Sequence, residues 1–105
     1  MAKAKNIREL ANILAVALRH KIGSMVNENE IYAQKYAKDA EVLINQAQKI
    51  SFRENWNSSD KEKIKNQLKK KLHDELEKKD FLDKRKFDIM EDEMNKILAV
   101  LGLKN

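Results

Sequence analysis

IRELANILAVAL, residues 7–18, decides the fold: nine of its twelve positions are Ile, Leu, Val or Ala. Set on a helix at about 100° per residue, the stretch places Ile7, Leu10, Leu14, Ala17 and Leu18 on one side. Ile13 and Val16 carry the apolar arc towards the back, leaving Arg8, Asn12 and Arg19 as the wet stripe. A surface helix needs an apolar arc of roughly 100°, and this one is about twice as wide. The stretch is therefore expected to touch more than one neighbour. It is either the central helix of a bundle or a helix that also faces a second copy or a partner.

The composition points the same way. A chain of 105 residues supports a single core. Its 42% apolar and 37% charged residues mark a soluble, helix-rich domain and not a disordered segment. With no proline and only two glycines, the tight turns that a β-sandwich or α/β fold requires lack their usual residues. Alternation with period two, the signature of half-buried strands, is also missing. The expected fold is all-α, a four-helix bundle or two packed helical hairpins forming a single domain.

Taken in order, helix 1 is expected to start at Asn6 as its cap and either to stop at Gly23 as a carboxy-terminal cap or, the preferred reading, to run to about Asn27, so that Met25 and Val26 reach a packed surface. Helix 2, about 30–50, groups Tyr32, Ala33, Tyr36, Ala37, Ala40, Leu43, Ile44, Ala47 and Ile50 on an arc of about 140°. Its alanines permit close approach, and the two helices read as an antiparallel hairpin over 6–50. Residues 51–59, SFRENWNSS, form the linker and hold the only tryptophan. Ser59 with Glu62 fits a capping box for helix 3, about 60–79. There Ile64, Leu68, Leu72 and Leu76, spaced by four, make a thin spiralling seam. Helix 4 is expected to be capped by Asp83 or by Asp88, and to show Phe87, Met90, Met94, Ile97, Leu98 and Leu101 on one arc. Gly102 then ends it and Leu103 packs back over the cap, closing a second hairpin over 60–103.

The absence of cysteine excludes a disulfide, a thiolate metal site and a cysteine nucleophile, and fits a reducing compartment. Basic residues precede the apolar run, but Glu9 and Asn12 interrupt it and no small-residue cleavage site follows. No apolar stretch reaches the roughly 18 residues that cross a bilayer. A soluble, cytoplasmic protein is expected. The net charge of +5 is laid out in short blocks. Residues 61–73 are lysine-rich, 74–83 acidic, 84–86 basic and 88–93 acidic, so their fields cancel beyond about 8 Å in physiological salt.

Each chemical candidate competes with a solvated charged surface. Around His20, the helical segment LRHKI resembles the phosphoacceptor helix of histidine kinases in carrying a histidine on a hairpin. It departs from that pattern in having Lys21 where an acid is usual and no proline beyond, so phosphotransfer is not expected. His73, Asp74 and Glu77 have the spacing of metal ligands within one helical turn. The acids recur every three residues at 74, 77, 80 and 83 and again at 88 and 91, with lysines between them, and read as a wet face. No serine has a nucleophile's context and no glycine-rich phosphate loop exists. Catalytic residues, metals and cofactors are therefore not expected.

Two functions remain. The first is a non-catalytic helical module for protein interaction or self-association, with Ile13, Val16, Met90 and Met94 as candidate interface residues. The alternative is nucleic-acid binding. In that reading Arg53, Trp56, Lys61, Lys65, Lys69 and Lys70 combine phosphate-contacting charge with a stacking ring, aided by Phe52, Lys63 and Lys71. Neither a membrane nor a small-molecule substrate is expected.

Overall fold

The computed structural model describes residues 2–26, 30–79 and 84–105. Its elements are α1 (Ala2–Val26), α2 (Glu30–Ser51), α3 (Ser58–Glu77), the single turn α4 (Arg85–Asp88) and α5 (Met90–Val100). The fold is all-α, and α1 is its hub: α2, α3, α4 and α5 all pack on it. At about 1.5 Å per residue α1 is roughly 37 Å long, close to the 41 Å long axis of the molecule.

The long helices alternate in direction. Lys3 pairs with Asp60 and Arg19 with Glu75, so α1 and α3 run parallel. His20 meets Tyr36 and Asp39 while Asn6 donates to Glu54, so α2 runs antiparallel to α1. Lys69 faces Glu91 and the Asn105 amide reaches the Ser58 carbonyl, so α5 runs antiparallel to α3. In a square bundle of this order α1 and α3 would sit on a diagonal. Here they pack directly on each other, and α2 touches neither α3 nor α5. α1 permits this approach through Ala11 and Ala15, both fully buried, with Ala15 lying beside Lys71 and Glu75 of α3.

The core follows from those contacts. Leu10, Leu14, Leu18 and Ile22 of α1 meet the α3 seam of Ile64, Leu68, Leu72 and Leu76, with Met94, Leu98 and Leu103 closing the third side. The wide apolar arc of α1 is thus covered within the chain. Gly102 adopts φ 71°, the left-handed region glycine tolerates. Its N–H donates to the Ala99 carbonyl at 3.1 Å, and the Leu103 N–H donates to Leu98 at 2.8 Å. This is the expected cap, with Leu103 buried behind it.

Several boundaries differ from expectation for identifiable reasons. Asn6 does not cap α1: Ala2, Lys3, Ala4 and Lys5 are good helix formers, and the helix runs through them while Lys3 reaches Asp60. Asn6 instead bridges to the loop, donating to Glu54 at 3.1 Å. Ser51 belongs to α2, which narrows the linker to 52–57. The cap of α3 is Asn57, not Ser59. Asn57 Oδ1 accepts from the Asp60 N–H at 2.8 Å, and the Asp60 carboxylate accepts from the Asn57 N–H at 3.0 Å. Asn caps as well as Ser does, and this register gives Asp60 an ion pair with Lys3 that Glu62 could not make. Asp88 caps nothing. It ends α4, and Ile89 at φ −98°, ψ −6° separates that turn from α5. The break interrupts the expected arc, leaving Phe87 on the surface while Lys86 is buried and donates to the Lys79 carbonyl at 2.8 Å. Asp80 and Asp83 lie outside the described residues.

Complete burial at the hub sets a measurable hierarchy. Truncating Leu14, which has no exposed surface, is expected to cost about 3–5 kcal/mol of unfolding free energy. Truncating Val42, half exposed on α2, should cost less than about 0.5 kcal/mol. Urea denaturation of Leu14→Ala and Val42→Ala checks the difference.

Candidate interaction surface

The interface residues expected from sequence divide into two groups. Met94 has no exposure and Met90 only 8%; both belong to the chain's own core and offer no surface in this fold. Ile13 is half-buried against that core. Val16 is half-buried in a shallow groove between α1 and α3, with Asn12, Lys71 and Lys78 around it.

A second groove, not anticipated, runs between α1 and α2. Lys21, Ser24 and Met25 form one wall and Ala37, Ala40, Glu41, Ile44 and Asn45 the other, enclosing about 290 Å³. It exists because α2 has a single neighbour among the described helices. Of the arc of about 140° on α2, only Ala40, Ala47 and Ile50 are fully buried. Ala33, Tyr36, Leu43 and Ile44 are half-buried, while Tyr32 and Ala37 are exposed. The signal was present in the sequence: one packed helix covers roughly 100° of arc, and α2 offers more.

Opposite this groove, the α1/α2 contact is held by His20. Its Nδ1 donates to the Val16 carbonyl at 2.8 Å, the ring meets Tyr36 edge-on, and Nε2 lies 4.0 Å from the Asp39 carboxylate. The histidine is a packing residue, with one nitrogen already committed to the helix backbone.

Charge pairing fastens the helices around the core. Glu93 is almost wholly buried on α5, with Lys21 of α1 2.9 Å from one oxygen and Lys96 3.1 Å from the other. Burial pushes its carboxyl up, but the Lys21 and Lys96 ammonium groups beside it outweigh that and hold it below the ordinary range. Asp60 is likewise held low, chiefly by the Lys3 ammonium and then by the Asn57 N–H.

The nucleic-acid candidates are dispersed. Arg53 lies 3.6 Å from Glu9 and donates to Asn6 at 3.4 Å. The Trp56 indole N–H donates to the Ser51 carbonyl at 2.8 Å, and its ring packs on the core. Trp56 therefore serves the junction between α2 and α3 while Arg53 ties the loop to α1, and the exposed ring of that loop is Phe52. Lys69 pairs with Glu91 and Lys71 with Asn12. Lys61, Lys65 and Lys70 have no ionic partner among the described residues, but they do not share one face. His73, Asp74 and Glu77 bring donor atoms within 4.8 Å of one another, all exposed, beside the cationic Lys78.

The geometry defines an all-α domain with an open groove along its outer helix. No helix among the described residues is long and apolar enough to cross a membrane. No family model, curated protein or solved structure matches the chain.

Both depressed carboxylates add stability that is complete above the unfolded-state value near pH 4 and is lost as pH falls through the lower folded value. Stability should therefore be flat from about pH 7 to 5 and decline below about pH 4. Glu93→Gln, which also leaves Lys21 without its partner, should be less stable at neutral pH and lose less on acidification. Chemical denaturation across pH measures both.

Proposed function

We propose that this chain is a non-catalytic helical module that binds another protein through the α1/α2 groove. The observation that supports the reading is the incomplete cover of α2. Among the described helices its apolar arc rests on α1 alone, and Ala37, Ile44 and Met25 border an open groove. Small alanines beside larger aliphatic groups suit the insertion of a partner helix, the mode in which an amphipathic helix lays its apolar face into a groove. Met25, 49% exposed, adds an unbranched, adaptable side chain to the rim. The reading requires no cofactor and no catalytic group, and the lack of cysteine suits a cytoplasmic setting.

A photoreactive side chain at position 37 or 44 is expected to give discrete protein adducts in the cells that express the chain. One at exposed position 63 on α3 should give none. Adducts at neither groove position, or equally at all three, remove the reading.

A second reading, nucleic-acid binding across residues 61–71, is favoured by Lys61, Lys65 and Lys70, which have no ionic partner among the described residues, and opposed by the structural engagement of Arg53 and Trp56. It requires affinity for DNA or RNA that falls with added salt by about one counterion per phosphate contacted. An absence of binding at low salt removes it.

A further inference from the structure

Resting on the nucleic-acid reading above, we propose that the binding site is one end of the molecule and not the length of α3, and that it holds an unpaired strand of RNA or DNA with a base stacked on Phe52. Contacts between residues far apart in sequence define that end. Lys3 pairs with Asp60, Asn6 donates to Glu54, Arg53 lies against Glu9, and the Asn105 amide reaches the Ser58 carbonyl. The first turns of α1, the last turn of α2, the loop after it, the start of α3 and the C-terminal residues therefore converge there.

Folding concentrates charge at this end. Residues 2–9, 48–65 and 97–105 hold nine Lys and Arg against four Asp and Glu, a surplus of five that equals the net charge of the whole sequence. The rest of the sequence holds thirteen of each sign. The molecule is 41 Å long, and a field decays within about 8 Å in physiological salt. A polyanion touching this end therefore meets the surplus undiluted. The four acids are engaged within the chain: Asp60 by Lys3, Glu9 by Arg53, Glu54 by Asn6 and Glu62 by the Asn105 amide. Every element of the end adds an exposed cation, Lys5 and Arg8 on α1, Lys49 on α2, Lys63 on α3 and Lys104 after α5.

The ring selects the class of polyanion. Phe52 is 77% exposed and is flanked in sequence by Lys49 and Arg53. An aromatic face among cations is the combination that holds single strands, since phosphates meet charge while a base stacks on the ring. A duplex keeps its bases stacked on one another and offers the ring no partner. Trp56 packs on the core, so Phe52 takes the stacking part. The molecule is 21 × 20 Å in cross-section, enough for a few nucleotides, and the surplus charge limits the phosphates neutralised to about five.

Fluorescence anisotropy of the full chain with labelled mixed-sequence RNA and DNA strands of about 12 nucleotides tests this. The strands should bind at low salt, and log K should fall against log salt with a slope of about −3.5, from about −0.7 for each phosphate. Phe52→Ala should weaken binding roughly tenfold and leave the slope unchanged. Lys5→Glu with Arg8→Glu, and separately Lys49→Glu with Lys104→Glu, should each weaken it at least about tenfold and make the slope shallower by about one. Lys35→Glu with Lys38→Glu, an equal change of charge on the far part of α2, should leave affinity within about twofold. A duplex of the same sequence should bind more weakly and ignore Phe52→Ala. All the substituted side chains are exposed, and circular dichroism verifies that the helices persist. Binding that ignores the end variants and disappears with Lys69→Glu and Lys70→Glu overturns this site while the nucleic-acid reading stands. No binding to any strand removes both, and retention on phosphatidylserine vesicles alone would assign the end to a lipid surface instead.

Discussion

Small side chains on one flank of α1, Ala11 and Ala15, let the leucine seam of α3 approach a parallel helix that a square bundle would hold on its diagonal. Two consequences follow from that single approach. The core becomes a three-sided prism of α1, α3 and α5, with every large α3 apolar residue driven to complete burial. The remaining long helix, α2, is displaced to the outside, where α1 is the one described helix it rests on. The groove on the α2 flank is therefore the geometric remainder of close packing elsewhere.

Electrostatics reinforce this division. The contacts between α1 and its inner neighbours carry ion pairs in which one member is well shielded: Asp60 with Lys3, and Glu93 with Lys21. A carboxylate placed there without its cation would be left as an uncompensated charge, so these pairs help fix the alignment of the helices. On the outer face of α2, by contrast, Lys38 and Glu41 have no ionic partner among the described residues.

The helical class, the hub role of residues 7–18 and the C-terminal cap at Gly102 were legible in the sequence, because each rests on a local pattern. Apolar width around a helix predicts the number of neighbours, and a glycine after an apolar period predicts a left-handed cap. What could not be read is how the helices share their cover. Met90 and Met94 have the same period as a surface stripe would, and only the position of α5 against α1 and α3 makes them core. The start of α3 was displaced by two residues because Asn57 and Ser59 are both competent caps. The choice between them depends on Lys3, more than fifty positions away. The α2 groove depends on the same sharing: α2 also has more apolar arc than one neighbour can cover, and which flank stays open is set by where α3 and α5 sit on α1.

The indole of Trp56 hangs from the last carbonyl of α2 while its ring leans on the core. As the chain has one tryptophan, its ultraviolet emission is a local gauge of that pole of the molecule and is blind to the opposite one. Fraying where α1 passes into α2 would leave the emitted colour unchanged. Parting of α2 from the start of α3 would shift it to the red before the remaining helices had melted.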